Sequence, residues 1–249
     1  RLFDNEKKQL YNSVISTQAL KGAAITRIKN IDNVLYLSTE NGILEVQFDA
    51  LVTNLKTPIQ EDAITYYEYN KLLNNKFPKG FEDIEKVGEL FFVSDPQQGL
   101  LLYENTLTNF IRNFNYNGDA STTLASSTPA KLFYDRSTNT LFIGTIGSGL
   151  FKYDLTEKRF SKLDVNDGLL SNNIFDFAQV NNLLLLQTGS GVNYIEDGTI
   201  KNLNQEDGLS ITNYHRESIH SIGDKILFTG NDKFQYLPIT ALNSAQENF

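Results

Sequence analysis

Residues 139–154 have the sequence NTLFIGTIGSGLFKYD, in which an apolar run, a Gly-Ser-Gly turn and a second apolar run follow one another. Two apolar runs on either side of a glycine-containing turn are typical of a β-hairpin. Glycine suits such a turn because it adopts a positive φ without a steric penalty. The same pattern recurs in residues 33–48, 88–103, 182–197 and 224–238.

The spacing of these hairpins indicates the fold. The first strand of each ends in Ser or Thr, namely Thr39, Ser94, Thr145, Thr188 and Thr229. The turn positions are Gly42, Gly99, Gly149, Gly191 and Lys233, which lie 57, 50, 42 and 42 residues apart. Propeller blades repeat about every 40–50 residues. The sequence therefore predicts an all-β β-propeller of four-stranded blades, with about five blades visible and a period near 42 residues.

The remaining segments complete the blades. The two longer intervals predict insertions near residues 54–80 and 113–128, within a single domain over residues 1–249. Residues 2–11 align with residues 152–163, so the chain is expected to begin in mid-blade. The last unit shows no outer strand, and residues 9–14 are expected to complete it, because an open sheet edge invites aggregation. The domain is therefore either a closed ring, which residues 9–14 would complete, or a part of a longer propeller.

Composition excludes several functions. The formal charge is −8 with no basic run, which disfavours nucleic acid and anionic membrane surfaces as partners. No apolar run approaches the roughly 20 residues that span a bilayer, so a membrane is expected to be contacted only through flanking segments. The chain has 0 cysteines, which excludes disulfides, cysteine metal sites and thiol catalysis.

One repeat carries a resemblance to a known family. It combines Asp-Gly-Leu-Leu-Ser-Asn at 167–172 with Leu-Phe-Ile-Gly-Thr at 141–145 and Gly-Leu-Phe-Lys-Tyr-Asp at 149–154. These strings resemble the propeller repeat of bacterial two-component regulators. The resemblance covers about residues 135–242 well and residues 24–48 moderately. Phe142 stands where the family usually has Trp, and Lys233 replaces a turn glycine.

The resemblance implies a function. It implies a periplasmic or otherwise extracytoplasmic sensor domain of a hybrid two-component or diguanylate-cyclase-type regulator, with any catalytic output domain outside this chain. A small molecule or oligosaccharide would be its ligand, or a homodimer its assembly, and the domain itself would not be an enzyme. Two alternatives stay open because propellers host many activities. They are a polysaccharide-acting lyase or glycosidase and a protein-interaction scaffold.

Candidate ligand-binding residues lie in the connections between blades. Connections from an outer strand to the next inner strand lie on the propeller face where ligands commonly bind. Amide, aromatic and guanidinium groups suited to a saccharide or carboxylate occur there: Asn172, Asn173, Asn213, Tyr214 and Arg216. The other interpretation is that these asparagines cap turns and that Tyr214 packs between blades. Tyr66 and Tyr67 either stack on a sugar ring or belong to a strand with alternate burial.

No catalytic residue, metal site or cofactor is predicted. The odd separation of His215 and His220 places them on opposite faces of a strand, which disfavours a shared metal ion. The Gly-Ser-Gly segments lack the Gly-x-Ser-x-Gly pattern of a nucleophile elbow, and no phosphate-binding loop is present. The histidines are therefore expected to make local hydrogen bonds only.

Overall fold

The structure is a computed structural model. It describes residues 2–4, 9–11, 23–49, 63–68, 80–95, 97–115, 121–124, 128–196, 198–203, 208–211, 214–230 and 233–240. These residues form β-strands almost throughout, and the predicted all-β propeller class with about five blades is confirmed. The chain divides into two compact units, Arg1–Phe114 and Asn115–Phe249. A single domain over residues 1–249 stays a prediction.

Unit 1 contains a short hairpin and two blades. The hairpin pairs β1 (Leu2–Asp4) with β2 (Gln9–Tyr11), and a start of the chain in mid-blade stays a prediction. Blade 1 has the order β3 (Ile25–Ile31), β4 (Val34–Thr39), β5 (Gly42–Gln47), β6 (Ile64–Glu68). Blade 2 has the order β7 (Asp83–Val87), β8 (Leu90–Asp95), β9 (Gly99–Glu104), β10 (Phe110–Asn113). A core that includes Tyr36, Ile43, Ile84 and Phe91 packs these two blades together.

Unit 2 contains three blades. Blade 3 has the order β11 (Thr128–Asp135), β12 (Thr140–Ile146), β13 (Leu150–Asp154), β14 (Arg159–Leu163). Blade 4 has the order β15 (Ile174–Val180), β16 (Leu183–Thr188), β17 (Gly191–Glu196), β18 (Thr199–Leu203). Blade 5 has three described strands, β19 (Tyr214–Ile222), β20 (Lys225–Gly230) and β21 (Phe234–Pro238). Its completion by residues 9–14 stays a prediction, because residues 12–14 lie outside the described part of the chain.

Threonine and glycine close the inner hairpin of blades 1, 3 and 4 in the same way. A threonine hydroxyl at the end of the second strand donates to the carbonyl of the turn glycine: Thr39 to Gly42 (3.0 Å), Thr145 to Gly149 (2.7 Å) and Thr188 to Gly191 (3.0 Å). The three glycines have φ values of 144°, 85° and 146°. Such values favour glycine, which explains the recurrence of the Thr and Gly positions along the sequence.

Two expectations from the sequence need correction. Residues 54–80 contain β6, the fourth strand of blade 1, and are therefore not wholly an insertion. In blade 2 the hairpin turn follows Asp95, and not Ser94, because Asp95 Oδ1 accepts hydrogen bonds from the backbone N–H groups of Gln97 and Gln98, both at 2.8 Å. Within the expected insertion at 113–128, Thr123 and Leu124 are buried.

Candidate functional site

A recess lies between blades 1 and 2 of unit 1. Its volume is about 550 Å³, which is within the range of small-molecule sites. Its walls come from the start of β3, from the β4–β5 and β8–β9 turns, and from the connection that leads into β7. The recess is therefore built where the strand-connecting segments of two neighbouring blades meet.

The buried hydroxyl group of Ser38 fixes the floor of the recess. Ser38 Oγ accepts a hydrogen bond from Phe81 N at 2.8 Å and another from Thr26 Oγ1 at 3.1 Å. Gly80 runs directly over Ser38, because a Cβ at residue 80 would lie 2.8 Å from Ser38 Oγ and 2.9 Å from Thr39 O. Any larger residue would overlap Ser38 and the backbone of Thr39, so this close approach requires glycine at residue 80.

An ion pair joins the two blades at the recess. Arg27 Nη2 lies 2.6 Å from Glu82 Oε2, and the two side chains are 31% and 26% exposed. Arg27 Nη1 donates to the carbonyl of Thr26 at 2.9 Å. Since β3 carries Arg27 and the connection into β7 carries Glu82, this pair bridges the blades through groups that a ligand can reach.

The rim of the recess is polar and exposed. Glu40 and Asn41 occupy the β4–β5 turn, and Gln97 occupies the β8–β9 turn. Among the interactions of the described residues, the Glu40 carboxylate and the Gln97 side-chain amide have no hydrogen-bond or ion-pair partner. These groups are available to hydrogen-bond a bound molecule.

Further along the same two strands, Lys29 contacts two carboxylates of β7. Its Nζ lies 3.0 Å from Asp83 Oδ1 and 3.3 Å from Glu85 Oε2. Burial lowers the pKa of Lys29, but the charges and hydrogen bonds of Asp83 and Glu85 outweigh it, so the pKa is raised above its ordinary value. Burial raises the pKa of the Glu85 carboxyl, against the attraction of Lys29. This largely buried cluster joins β3 to β7 and so helps to hold blades 1 and 2 together.

The connection that lines the recess has an equivalent in another blade, where the sequence predicted Asn173 as a ligand-binding residue. Gly80 and Asn173 stand three residues before Asp83 and Asp176, respectively. Each of these aspartates accepts a hydrogen bond from the backbone N–H of the next residue, at 3.0 Å and 2.9 Å. Gly80 and Asn173 are therefore equivalent in the repeat, each within its own unit.

Asn172 and Asn173 differ in what they do in unit 2. Asn172 Oδ1 accepts from Val165 N at 3.1 Å, which agrees with a turn-capping role. Asn173 is half-buried, and its side-chain amide makes no hydrogen bond within the part of the chain that the structure describes. Ligand binding by either residue stays a prediction, and Asn173 has the freer side chain.

This difference predicts unequal effects on stability. Asn172→Ala removes the acceptor for Val165 N and is expected to lower the free energy of unfolding by about 1 kcal/mol. Asn173→Ala is expected to change it by less than about 0.5 kcal/mol, as for a substitution that breaks no contact. Urea unfolding of the two variants measures both values. Equal losses would contradict the separation of roles.

The predicted tyrosines lie on β6. Tyr67 is buried, contributes to the core between blades 1 and 2, and donates its hydroxyl to Glu45 Oε2 at 2.9 Å. Tyr66 is half-buried against a separate cluster that includes Leu37 and Leu44. The alternation of burial agrees with strand residues, which was one of the two interpretations. Stacking of these tyrosines on a sugar ring stays a prediction.

The remaining predicted residues lie where side chains are not described. Asn213 lies outside the described residues, and Tyr214 and Arg216 lie in β19, where only the backbone is described. His215 also lies in this part of β19, whereas His220 is exposed. Among the described residues, no cluster of three or more His, Cys, Asp or Glu side chains is placed to hold a metal ion.

Sequence reasoning missed the charged residues of the recess. Arg27 and Glu82 are 55 residues apart, and neither stands in a recognisable motif. Arg27 lies next to an irregularity of its strand, because the pairing of β3 with β4 shifts register between Ile25 and Arg27. Such an irregularity re-aims side chains, but it is visible only in the pairing register and leaves no signal in the sequence.

The fold resembles those of several solved structures. No protein-family model and no curated protein matches the chain. The extracellular domain of BT4673 from B. thetaiotaomicron, assigned to a hybrid two-component system, matches with a TM-score of 0.59 and 17% identity over 85% of this chain and 27% of its own. The extracellular domain of BT3049 from B. thetaiotaomicron, also assigned to a hybrid two-component system, matches with a TM-score of 0.55 and 13% identity. This match covers 88% of this chain and 33% of that domain. The chain shares their fold.

A third match has a different role. PorZ, a bacterial surface component of the type-IX secretion system of Porphyromonas gingivalis, gives a TM-score of 0.55 and 14% identity over 94% of this chain and 41% of its own. This chain therefore spans about a quarter to two fifths of these proteins. Within the described residues, no helix has the length and apolar character needed to cross a membrane.

Proposed function

We propose that this chain is a non-catalytic, extracytoplasmic ligand-sensing or interaction module of a bacterial signal-transduction regulator. The repeat pattern of the sequence and the fold shared with two extracellular domains of two-component systems support this role. The observation that carries ligand binding is the 550 Å³ recess between blades 1 and 2, with its ion pair and its available amides. Its ligand would be a small molecule or an oligosaccharide.

The position of the recess suggests how a ligand would act. Arg27 and Glu82 belong to different blades and touch at 2.6 Å. A ligand that binds both groups would favour one spacing of the blades over others, and so shift the population of conformations. A homodimer is the assembly through which such a shift would pass to an output domain. Catalysis by the chain itself is not needed for this.

The first test is a thermal-shift screen against oligosaccharides and small acids, with product analysis of the same mixtures. A ligand that binds only the folded state raises the melting temperature. At a ligand concentration of about 100 times Kd, the added free energy of unfolding is about 2.7 kcal/mol. We expect at least one compound to raise Tm and to be recovered intact. Consumption of the compound would show an enzyme, and no shift across the panel would overturn ligand sensing in favour of a scaffold.

Variants then assign the binding to the recess. Arg27→Gln and Glu82→Gln are expected to abolish the ligand-induced shift while the unliganded Tm changes little, because a partly exposed ion pair contributes about 0–1 kcal/mol. Arg136→Gln, which removes an exposed arginine from the β11–β12 turn of unit 2, is the matched control and is expected to retain the shift. If the control loses the ligand-induced shift in Tm, or if both recess variants retain it, the ligand does not bind at the recess.

A further inference from the structure

The charged groups of the recess are not equivalent. Three ionisable residues line it among those that the structure describes, and Arg27 is already engaged: Nη2 contacts Glu82 Oε2 at 2.6 Å, and Nη1 donates to Thr26 O at 2.9 Å. Glu40 is exposed at the rim, with no ion-pair partner among the described residues. The three side chains therefore sum to one negative charge, and the unpaired one is Glu40.

An incoming anion would meet two penalties. The Arg27 guanidinium keeps N–H groups that a carboxylate could reach, but Glu82 at 2.6 Å already neutralises its charge. Glu82, the anion and Glu40 would then share one recess, where like charges repel. The net charge of −8 adds a weaker repulsion of the same sign over longer distances.

A protonated amine meets the opposite conditions. An ammonium group has three N–H donors and no acceptor, so it needs several acceptors around it. Glu40 supplies a carboxylate, and the carbonyls of Asn41 and Gln97 on the same rim can turn toward a donor. Hydrogen bonds between ionised partners are roughly twice as strong as neutral ones.

We propose that the recess selects ligands that carry a protonated amine, such as amino sugars, and rejects ligands that carry a carboxylate. The inference rests on the proposed ligand-binding function and specifies the class of ligand. The volume of about 550 Å³ suits a compound of one or two sugar rings. The amine would lie at the Glu40 rim, and the uncharged hydroxyls would face Thr26 and the Arg27–Glu82 pair.

Three hexoses of nearly the same size test the inference: glucosamine, glucose and glucuronate. Calorimetric titration at pH 6.5 and low salt is expected to give the highest affinity for glucosamine, about tenfold above glucose, since one charge-assisted contact contributes on the order of a factor of ten. Glucuronate is expected to bind more weakly than glucose. Added salt is expected to reduce both the glucosamine preference and the discrimination against glucuronate, because exposed charges are screened.

A matched pair of variants assigns the preference to Glu40. Glu40→Gln is expected to abolish the preference, so that the glucosamine affinity of the variant falls to its glucose affinity. Glu89→Gln removes an exposed glutamate from the β7–β8 turn, at the other end of blade 2, and is expected to change neither. Equal affinities for the three hexoses, a preference for glucuronate, or no binding by any of them would overturn the amine inference. The separate oligosaccharide panel would then still decide the proposed function.

Discussion

Gly149→Ala is expected to lower the free energy of unfolding by about 3 kcal/mol, the sum of a strained backbone and a steric overlap. Gly149 has a φ of 85°, and a Cβ there would lie 2.3 Å from the carbonyl oxygen of Leu163 on β14. The turn cannot easily move away, because Gly149 O accepts from both Thr145 N at 3.1 Å and Thr145 Oγ1 at 2.7 Å. Relief of the overlap would break one of the hydrogen bonds that close the hairpin.

Gly147→Ala is the matched control in the same turn. Gly147 has a φ of 87°, almost the same as Gly149, but no atom lies within 4 Å of the position that its Cβ would take. It is expected to cost only the left-handed backbone penalty of about 1–2 kcal/mol. Denaturant unfolding of the two variants separates backbone strain from the overlap with Leu163. Equal losses would show that the close approach of β14 does not constrain the turn.

The fold could be predicted because its signals are local. A threonine, a turn glycine and two apolar runs fall within about 16 residues in most of the hairpins, and the hairpins recur at nearly regular intervals. The fourth strand of blade 1 could not be predicted from the spacing of the strands. Its β6 begins 17 residues after the end of β5, whereas β14 begins five residues after the end of β13. Its tyrosines were then compatible with either a strand or a binding loop.

The candidate site was less predictable because its contacts are not local. Asn172 and Asn173 are adjacent and chemically identical, yet only Asn172 accepts a hydrogen bond from Val165 N. The recess depends on the pairing of Arg27 with Glu82, which follows from the packing of two blades. The repeat did indicate the correct kind of segment, the connection into a first strand, since Gly80 is the equivalent of Asn173.

Lys29→Met is expected to lower the free energy of unfolding by about 3 kcal/mol, because removal of one partner leaves a buried charge uncompensated. The Asp83 side chain is only 3% exposed and lies 3.0 Å from Lys29 Nζ. Without Lys29, the Asp83 carboxylate would lose this cation and keep its hydrogen bond from Ile84 N. Urea unfolding at pH 7 measures the loss in the free energy of unfolding. A loss below about 1 kcal/mol would show that the Lys29–Asp83 pair is as weak as a surface ion pair.

A second substitution and a pH series identify the cause of that loss. Adding Asp83→Asn to Lys29→Met is expected to recover part of the stability, because the uncompensated charge is then gone. The pKa of Lys29 is raised in the folded state, so its contribution is fully present below its unfolded pKa of about 10.4 and is lost as pH rises through the folded pKa. The stability difference between the original chain and Lys29→Met should therefore stay constant from pH 7 to about 10 and shrink above about 10.4. A difference that is the same at pH 8 and pH 11.5 would mean that Lys29 stabilises the blades by packing of its methylene groups and not by its charge.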